Sequence, residues 1–164
     1  MQTGAEISAC GNYRYFLFRT WEMSLRKALF IMLNPSTADG REDDPTIRRC
    51  IDFAKRLGCG GLHVVNLFAY RATSPADMMN FEGDVVGKDN DYWIGRALHA
   101  GGPVILAYGA NGSHLGRDRE VLKIIRKYNE PWRVFTLGTT TKGLPRHPLY
   151  LPKDAPLELF REAA

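Results

Sequence analysis

Gly61-Leu62-His63-Val64-Val65-Asn66-Leu67-Phe68-Ala69-Tyr70-Arg71-Ala72 says most about the architecture of this chain. An apolar strand, Leu62 to Leu67, runs into a single amide side chain, Asn66, near its carboxyl end. In open parallel sheets that end is where ligands are read. Three more strand ends carry equally pointed residues: Leu33-Asn34-Pro35-Ser36, Ala107-Tyr108-Gly109-Ala110 and His147-Pro148-Leu149-Tyr150-Leu151. Four such ends can converge on one cleft.

Outward from this strand, helix and strand patterns alternate. Tyr13 to Trp21 interleaves aromatic and apolar residues with Arg14 and Arg19, a β-like run, and Ala28 to Leu33 is a wholly apolar strand suited to cover on both faces. Asp44-Pro45 supplies an N-cap and a first-turn proline, after which Ile47, Cys50, Ile51, Ala54 and Leu57 recur at helical spacing until Gly58 closes the helix. Arg71 to Gly87 predicts a surface loop with at most a short helical turn. Further helices are expected over Asn90 to Ala100 and Arg117 to Tyr128, with strands over Val104 to Tyr108 and Arg133 to Leu137. Thr139 to Pro152 reads as an ordered loop whose Leu149, Tyr150 and Leu151 want cover. Alternation of this kind predicts an α/β fold, a three-layer α/β/α sandwich with a mostly parallel central sheet.

A chain of 164 residues, 45% hydrophobic and 24% charged, fills one core and is too short for two ordinary domains. We expect a single domain over residues 1–164. Neither a leader-like start nor an apolar run of about 18 residues is present, so a cytoplasmic location is expected. Cys10, Cys50 and Cys59 are odd in number and hold no Cys-x-x-Cys pair, which argues against a disulfide framework and a zinc site. The net charge of +4 is compatible with a polyanionic partner. A dinucleotide-binding reading fails because no Gly-x-Gly-x-x-Gly follows a strand, and Gly58-Cys59-Gly60-Gly61 precedes one.

Taken in order, the four strand ends resemble the motifs of the uracil-DNA glycosylase superfamily over roughly residues 28–152. Asn34-Pro35-Ser36 is similar to that family's water-handling loop, Val64-Val65-Asn66 with Arg71-Ala72 to its base-reading strand, Tyr108-Gly109-Ala110 to its Trp-Gly strand end, and His147 to Leu151 to its His-Pro-Ser-Pro-Leu motif. The chain also resembles bacterial and phage proteins grouped only as a domain of unknown function, through Met-Leu-Asn-Pro-Ser-Thr-Ala-Asp at 32–39 and Asn-Leu-Phe-Ala-Tyr-Arg at 66–71.

The glycosylase resemblance implies a DNA glycosylase-like hydrolase that removes a uracil-type or 5-modified pyrimidine without metal or cofactor, acting on DNA or a nucleotide. It implies that Asn34 orients water and that His147 donates to the base oxygen where anionic charge gathers. It implies that Asn66 reads the pyrimidine edge, since a planar amide offers one acceptor and one donor. Ser36 stands where uracil-specific members carry a tyrosine, leaving space for a 5-substituent. Phe68 or Tyr70 would stack on the base, Arg71, Arg146 and Lys142 would face DNA, and Leu151 would wedge into the duplex as the base leaves. The iron–sulfur version of that fold needs four cysteines, which this chain lacks. Leu149 replaces the family's serine, and no stacking aromatic stands between Gly40 and Arg49. These departures keep open a nucleic-acid or nucleotide binding protein without hydrolysis, and the small Ser36 keeps open an enzyme of modified-base metabolism in phage or defence systems.

Overall fold

The computed structural model describes residues 1–128 and 134–162. Its sheet contains β1 (Gln2–Ile7), β2 (Arg14–Thr20), β3 (Lys27–Met32), β4 (Gly61–Asn66), β5 (Gly101–Leu106), β6 (Val134–Thr136) and β7 (Glu158–Leu159). They lie in the order β1-β2-β4-β3-β5-β6-β7. Four helices accompany them: α1 (Pro45–Arg56), α2 (Pro75–Met79), α3 (Asn90–Ala97) and α4 (Arg117–Lys127).

The fold is α/β, as the alternation predicts, but the sheet is mixed rather than mostly parallel. β4, β3, β5 and β6 pair in parallel, whereas β1 with β2, β2 with β4, and β6 with β7 pair antiparallel. The cause lies in the connections. A parallel pair needs a crossover, here supplied by α1 between β3 and β4 and by α4 between β5 and β6; the short link from β1 to β2 carries no helix and permits only a return. β1 itself is invisible to a hydrophobic pattern because its six residues, Gln-Thr-Gly-Ala-Glu-Ile, are exposed or half-buried at the sheet edge. Of the strand expected over 133–137, Val134–Thr136 is observed and Arg133 lies outside the described residues.

α1 forms as its sequence directs. Asp44 Oδ1 accepts from the Ile47 amide at 2.8 Å, satisfying an N-terminal donor, and Pro45 occupies the first turn where no amide hydrogen is required. Ile47, Cys50, Ile51, Phe53 and Ala54 turn inward. β3 shows why its run has no polar alternation. Ala28, Phe30 and Met32 pack with α1 on one face, while Leu29, Ile31 and Leu33 join Val65, Leu67, Ile94 and Val121 on the other, beside α3 and α4. Helices therefore cover both faces of the central strands.

The loop over 71–87 holds only the five-residue α2, and the helix expected over 90–100 ends at Ala97 before a 3₁₀ turn over Leu98–Ala100. Among the described residues no helix is long and apolar enough to cross a membrane. Cys50 and Cys59 are buried thiols and Cys10 is an exposed one. The parallel strands run outward from β3 in opposite directions, to β4 on one side and β5 on the other. Such a switch point opens a crevice at the carboxyl ends of the strands.

Candidate functional site

A cleft of about 590 Å³ occupies that crevice. Its walls come from the end of β3 and the loop after it, the first turn of α1, the end of β4, the turn at Gly109, and the loop carrying Arg146 to Tyr150. Three strand ends singled out in the sequence thus meet in one place, and the fourth stretch, His147 to Leu151, joins them as a loop with a 3₁₀ turn over Pro148–Tyr150 rather than as a strand end. Gly109 makes part of this possible, since its φ of +77° and ψ of −171° form a backbone conformation that side chains do not tolerate. Its amide donates to Pro145 O at 2.8 Å and ties the β5 end to the His147 loop.

Asn66 lies on the cleft floor, 1% exposed, and neither its Nδ2 nor its Oδ1 has a partner among the described residues. Leaving a buried polar atom unmatched costs of order 1–3 kcal/mol, so a side chain with two of them is waiting for something. The backbone around it is, by contrast, braced. Asn90 Nδ2 donates to Asn66 O at 2.9 Å and to Leu67 O at 3.1 Å, and Arg117 Nε donates to Leu67 O at 2.8 Å. Arg117 is itself held by Asp91 at 2.5 Å and Glu120 at 3.2 Å.

Asn34 sits half-buried on the wall formed by the end of β3. Its Nδ2 donates to Pro35 O at 3.2 Å and Ala72 O at 3.1 Å. Carbonyls only accept, so the amide orientation is fixed with Oδ1 turned away from them and open to a donor such as water. His147 accepts from the Leu149 amide through Nδ1 at 3.2 Å. In the neutral ring the proton then resides on Nε2, which becomes a donor. Burial lowers the pKa of His147, opposed by the charge of Asp44, and the lowered value favours the neutral ring at pH 7.

Of the residues expected at a site, Asn34, Ser36, Asn66, Arg146 and His147 line the cleft, and five do not. Phe68 is fully buried in the α3–α4 core, tilted against His114, so it stacks on protein and not on a ligand. Tyr70 stacks on Phe81 with 4.1 Å between centroids, outside the cleft. Arg71 points to Gly11 O at 3.3 Å. Lys142 faces a second depression beside Arg119, Lys123 and Arg126. Leu151 is buried in the α1 core and is no wedge; of the three residues expected to seek cover, only it finds cover. Tyr150 stands at the rim instead, 83% exposed, with its ring 5.6 Å from that of His147.

Two cleft residues escaped the sequence reading. Among the described residues Asp44 is the only carboxylate on the lining, and Arg14 is a buried guanidinium there. Nothing marked Asp44 beyond its capping role, and Arg14 looked like the polar face of an alternating strand. A β-bulge changes that. Glu6 and Ile7 of β1 oppose Phe16 and Arg14 of β2, with Tyr15 as the extra residue. The extra residue shifts the alternation and turns Arg14 to the α1 side, where Nη1 donates to Ala38 O at 2.7 Å.

Residues 14–149 match the model of a family described as protein of unknown function, DUF1643, and the chain belongs to that family. The expected membership of a family grouped only as a domain of unknown function is thereby borne out. No curated protein and no solved structure matches the chain.

Proposed function

We propose that this DUF1643 member is a DNA glycosylase-like hydrolase that takes an extruded uracil-type or 5-modified pyrimidine into the cleft at the end of β3 and β4. The observation that carries the reading is Asn66, whose buried amide presents an unmatched donor beside an unmatched acceptor. A pyrimidine edge with N3–H and O4 satisfies both at once. The cleft's position at the switch point of a parallel core, and helices on both faces of that core, support a uracil-DNA glycosylase-like three-layer arrangement.

In the reaction, water bonds to the sugar C1′ as the C1′–N1 bond breaks and its electron pair leaves on the base. Nε2–H of His147 donates to the base oxygen that gathers the charge, a contribution of roughly 3 kcal/mol for one preorganised donor. Asn34 Oδ1 accepts from the water and aims it, and the water's proton neutralises the departing base directly or through solvent. An amide takes up no proton, so the chemistry is slow beside that of an aspartate enzyme. Ser36 on the lining leaves space for a 5-substituent.

A second reading, base or nucleotide binding without hydrolysis, draws support from Phe68 and Tyr70, which stack away from the cleft. Labelled single- and double-stranded oligonucleotides bearing uracil, mismatched thymine or 5-hydroxymethylated pyrimidines, incubated with the protein and cleaved with alkali, separate the two. Abasic sites that disappear with His147→Ala and Asn66→Ala support hydrolysis. Retention of an oligonucleotide without cleavage moves the function to binding.

A further inference from the structure

We propose that the ligand of this cleft carries a phosphate, and that Arg14 is the residue that binds it. The inference rests on the pyrimidine reading above and narrows it to a nucleotide.

Arg14 is 2% exposed, and its Nε has no partner among the described residues. One hydrogen bond, from Nη1 to Ala38 O, is a weak return for burying a guanidinium. The other buried arginines on this chain are treated differently. Arg19 pairs with Asp43 at 2.8 Å, and Arg117 pairs with Asp91 and Glu120. Around Arg14, among the described residues, no carboxylate lies within 4.0 Å. Asp44, the carboxylate on the lining, has its Oδ1 turned to the Ile47 amide.

Burial lowers the Arg14 pKa to about 10, against the pull of the Asp44 and Asp39 charges, so the group keeps its charge at neutral pH. A buried, charged, bulge-directed guanidinium facing a cleft has the chemistry of an anion anchor. Its planar fork suits phosphate oxygens. Arg146, exposed on the lining, adds a second positive charge at the mouth. The unmatched amide and the unmatched cation share one cavity, and a pyrimidine nucleotide supplies the missing partner to both.

The phosphate belongs either to a free nucleotide or to a nucleic-acid backbone, and calorimetric titration of the full chain distinguishes them. The probes are thymidine, thymidine 5′-monophosphate, a single-stranded thymidine pentanucleotide and inorganic phosphate. Wild type is expected to bind the monophosphate or the pentanucleotide at least about 10-fold more tightly than thymidine, as one charge-assisted contact implies. Whichever shows the larger gain names the source. In Arg14→Met the gain falls to about twofold or less while thymidine affinity holds, and Arg14→Lys keeps part of the gain because the charge remains without the fork.

Equal wild-type binding of thymidine and both phosphorylated probes overturns the inference with no variant needed. So does a gain that survives in a folded Arg14→Met protein. Phosphate binding that is lost in Arg14→Met, with no thymidine binding at all, keeps the anion site and removes the pyrimidine reading. Failure to bind any of the four probes removes both.

Discussion

Asn66, closing β4, and Asn90, opening α3, are both buried asparagines joined by a hydrogen bond, and their amide donors are used differently. Asn90 gives its amide hydrogens to two backbone carbonyls and fixes the strand end, leaving its Oδ1 without a partner among the described residues; Asn66, whose own carbonyl is one of those two, leaves both its side-chain atoms unmatched. The contrast separates scaffold from site within a single cluster. The supporting group spends its donor on the backbone, and the group it supports keeps donor and acceptor both free.

The sharpest way to break this comparison is to remove the brace. Asn90→Ala would leave two buried carbonyls with fewer donors and open a small void, and we expect a loss of about 3 kcal/mol of stability. The midpoint of urea unfolding reads it directly. A loss under about 1 kcal/mol would mean that Arg117 and backbone contacts hold the β4 end alone, and Asn90 would lose its place as scaffold.

A second test concerns His63, in the middle of β4 and edge-on to Phe16 at 5.0 Å. Burial lowers its pKa to about 4, so in the folded state it resists protonation. Below the ordinary value near 6.5 the unfolded chain binds a proton that the folded chain refuses. Stability is therefore full above that value and is lost as pH falls from about 6.5 toward 4, by no more than about 3 kcal/mol. His63→Leu should flatten the pH dependence of the thermal midpoint over that window. An unchanged slope would assign the acid sensitivity to other groups, His147 among them.

Much of this arrangement was legible in the residues because the cleft is built at strand ends. Apolar runs located β3, β4 and β5, and Asn34 and Asn66, closing the first two, fell where sheet topology brings ligands, whereas Tyr108, closing the third, packs into the core and leaves the cleft to Gly109 and Ala110. Asp44-Pro45 announced the start of α1 for the same reason, since capping chemistry is local. What stayed hidden depended on partners distant in the chain. Whether Phe68 or Leu151 faces a cleft or a core is decided by what α4 and α1 press against it, and an apolar residue reads alike in both settings. Arg14 was hidden by a single extra residue in β2, which inverts the expected side without altering the composition. Antiparallel β1 was hidden because an edge strand needs no hydrophobic signature.

Asn34 offers a smaller effect with a useful sign. Its Nδ2 holds Pro35 O and Ala72 O, a double contact that joins two walls of the cleft. Asn34→Ala should cost about 1–2 kcal/mol. Asn34→Asp should cost more, because a carboxylate oxygen would then face two carbonyl acceptors with no hydrogen between them. If thermal unfolding ranks the aspartate variant as the more stable of the two, the amide does not hold those carbonyls, and its open Oδ1 loses the fixed aim on which water positioning depends.

The smallest expected change in stability is also the most discriminating. Asn66→Leu replaces an amide by an apolar group of similar shape, and removes two buried unmatched polar atoms without adding any. Where a residue is retained for function at the expense of folding, such a change is neutral or stabilising, here by up to about 1 kcal/mol. Pyrimidine binding should fall to nothing in the same protein, because donor and acceptor are both gone. A loss of 2 kcal/mol or more would instead show that the Asn66 amide finds partners in the folded chain, and the argument from its vacancy to a base would fail with it. Stability that rises while binding is lost is the one result that a purely structural asparagine does not produce.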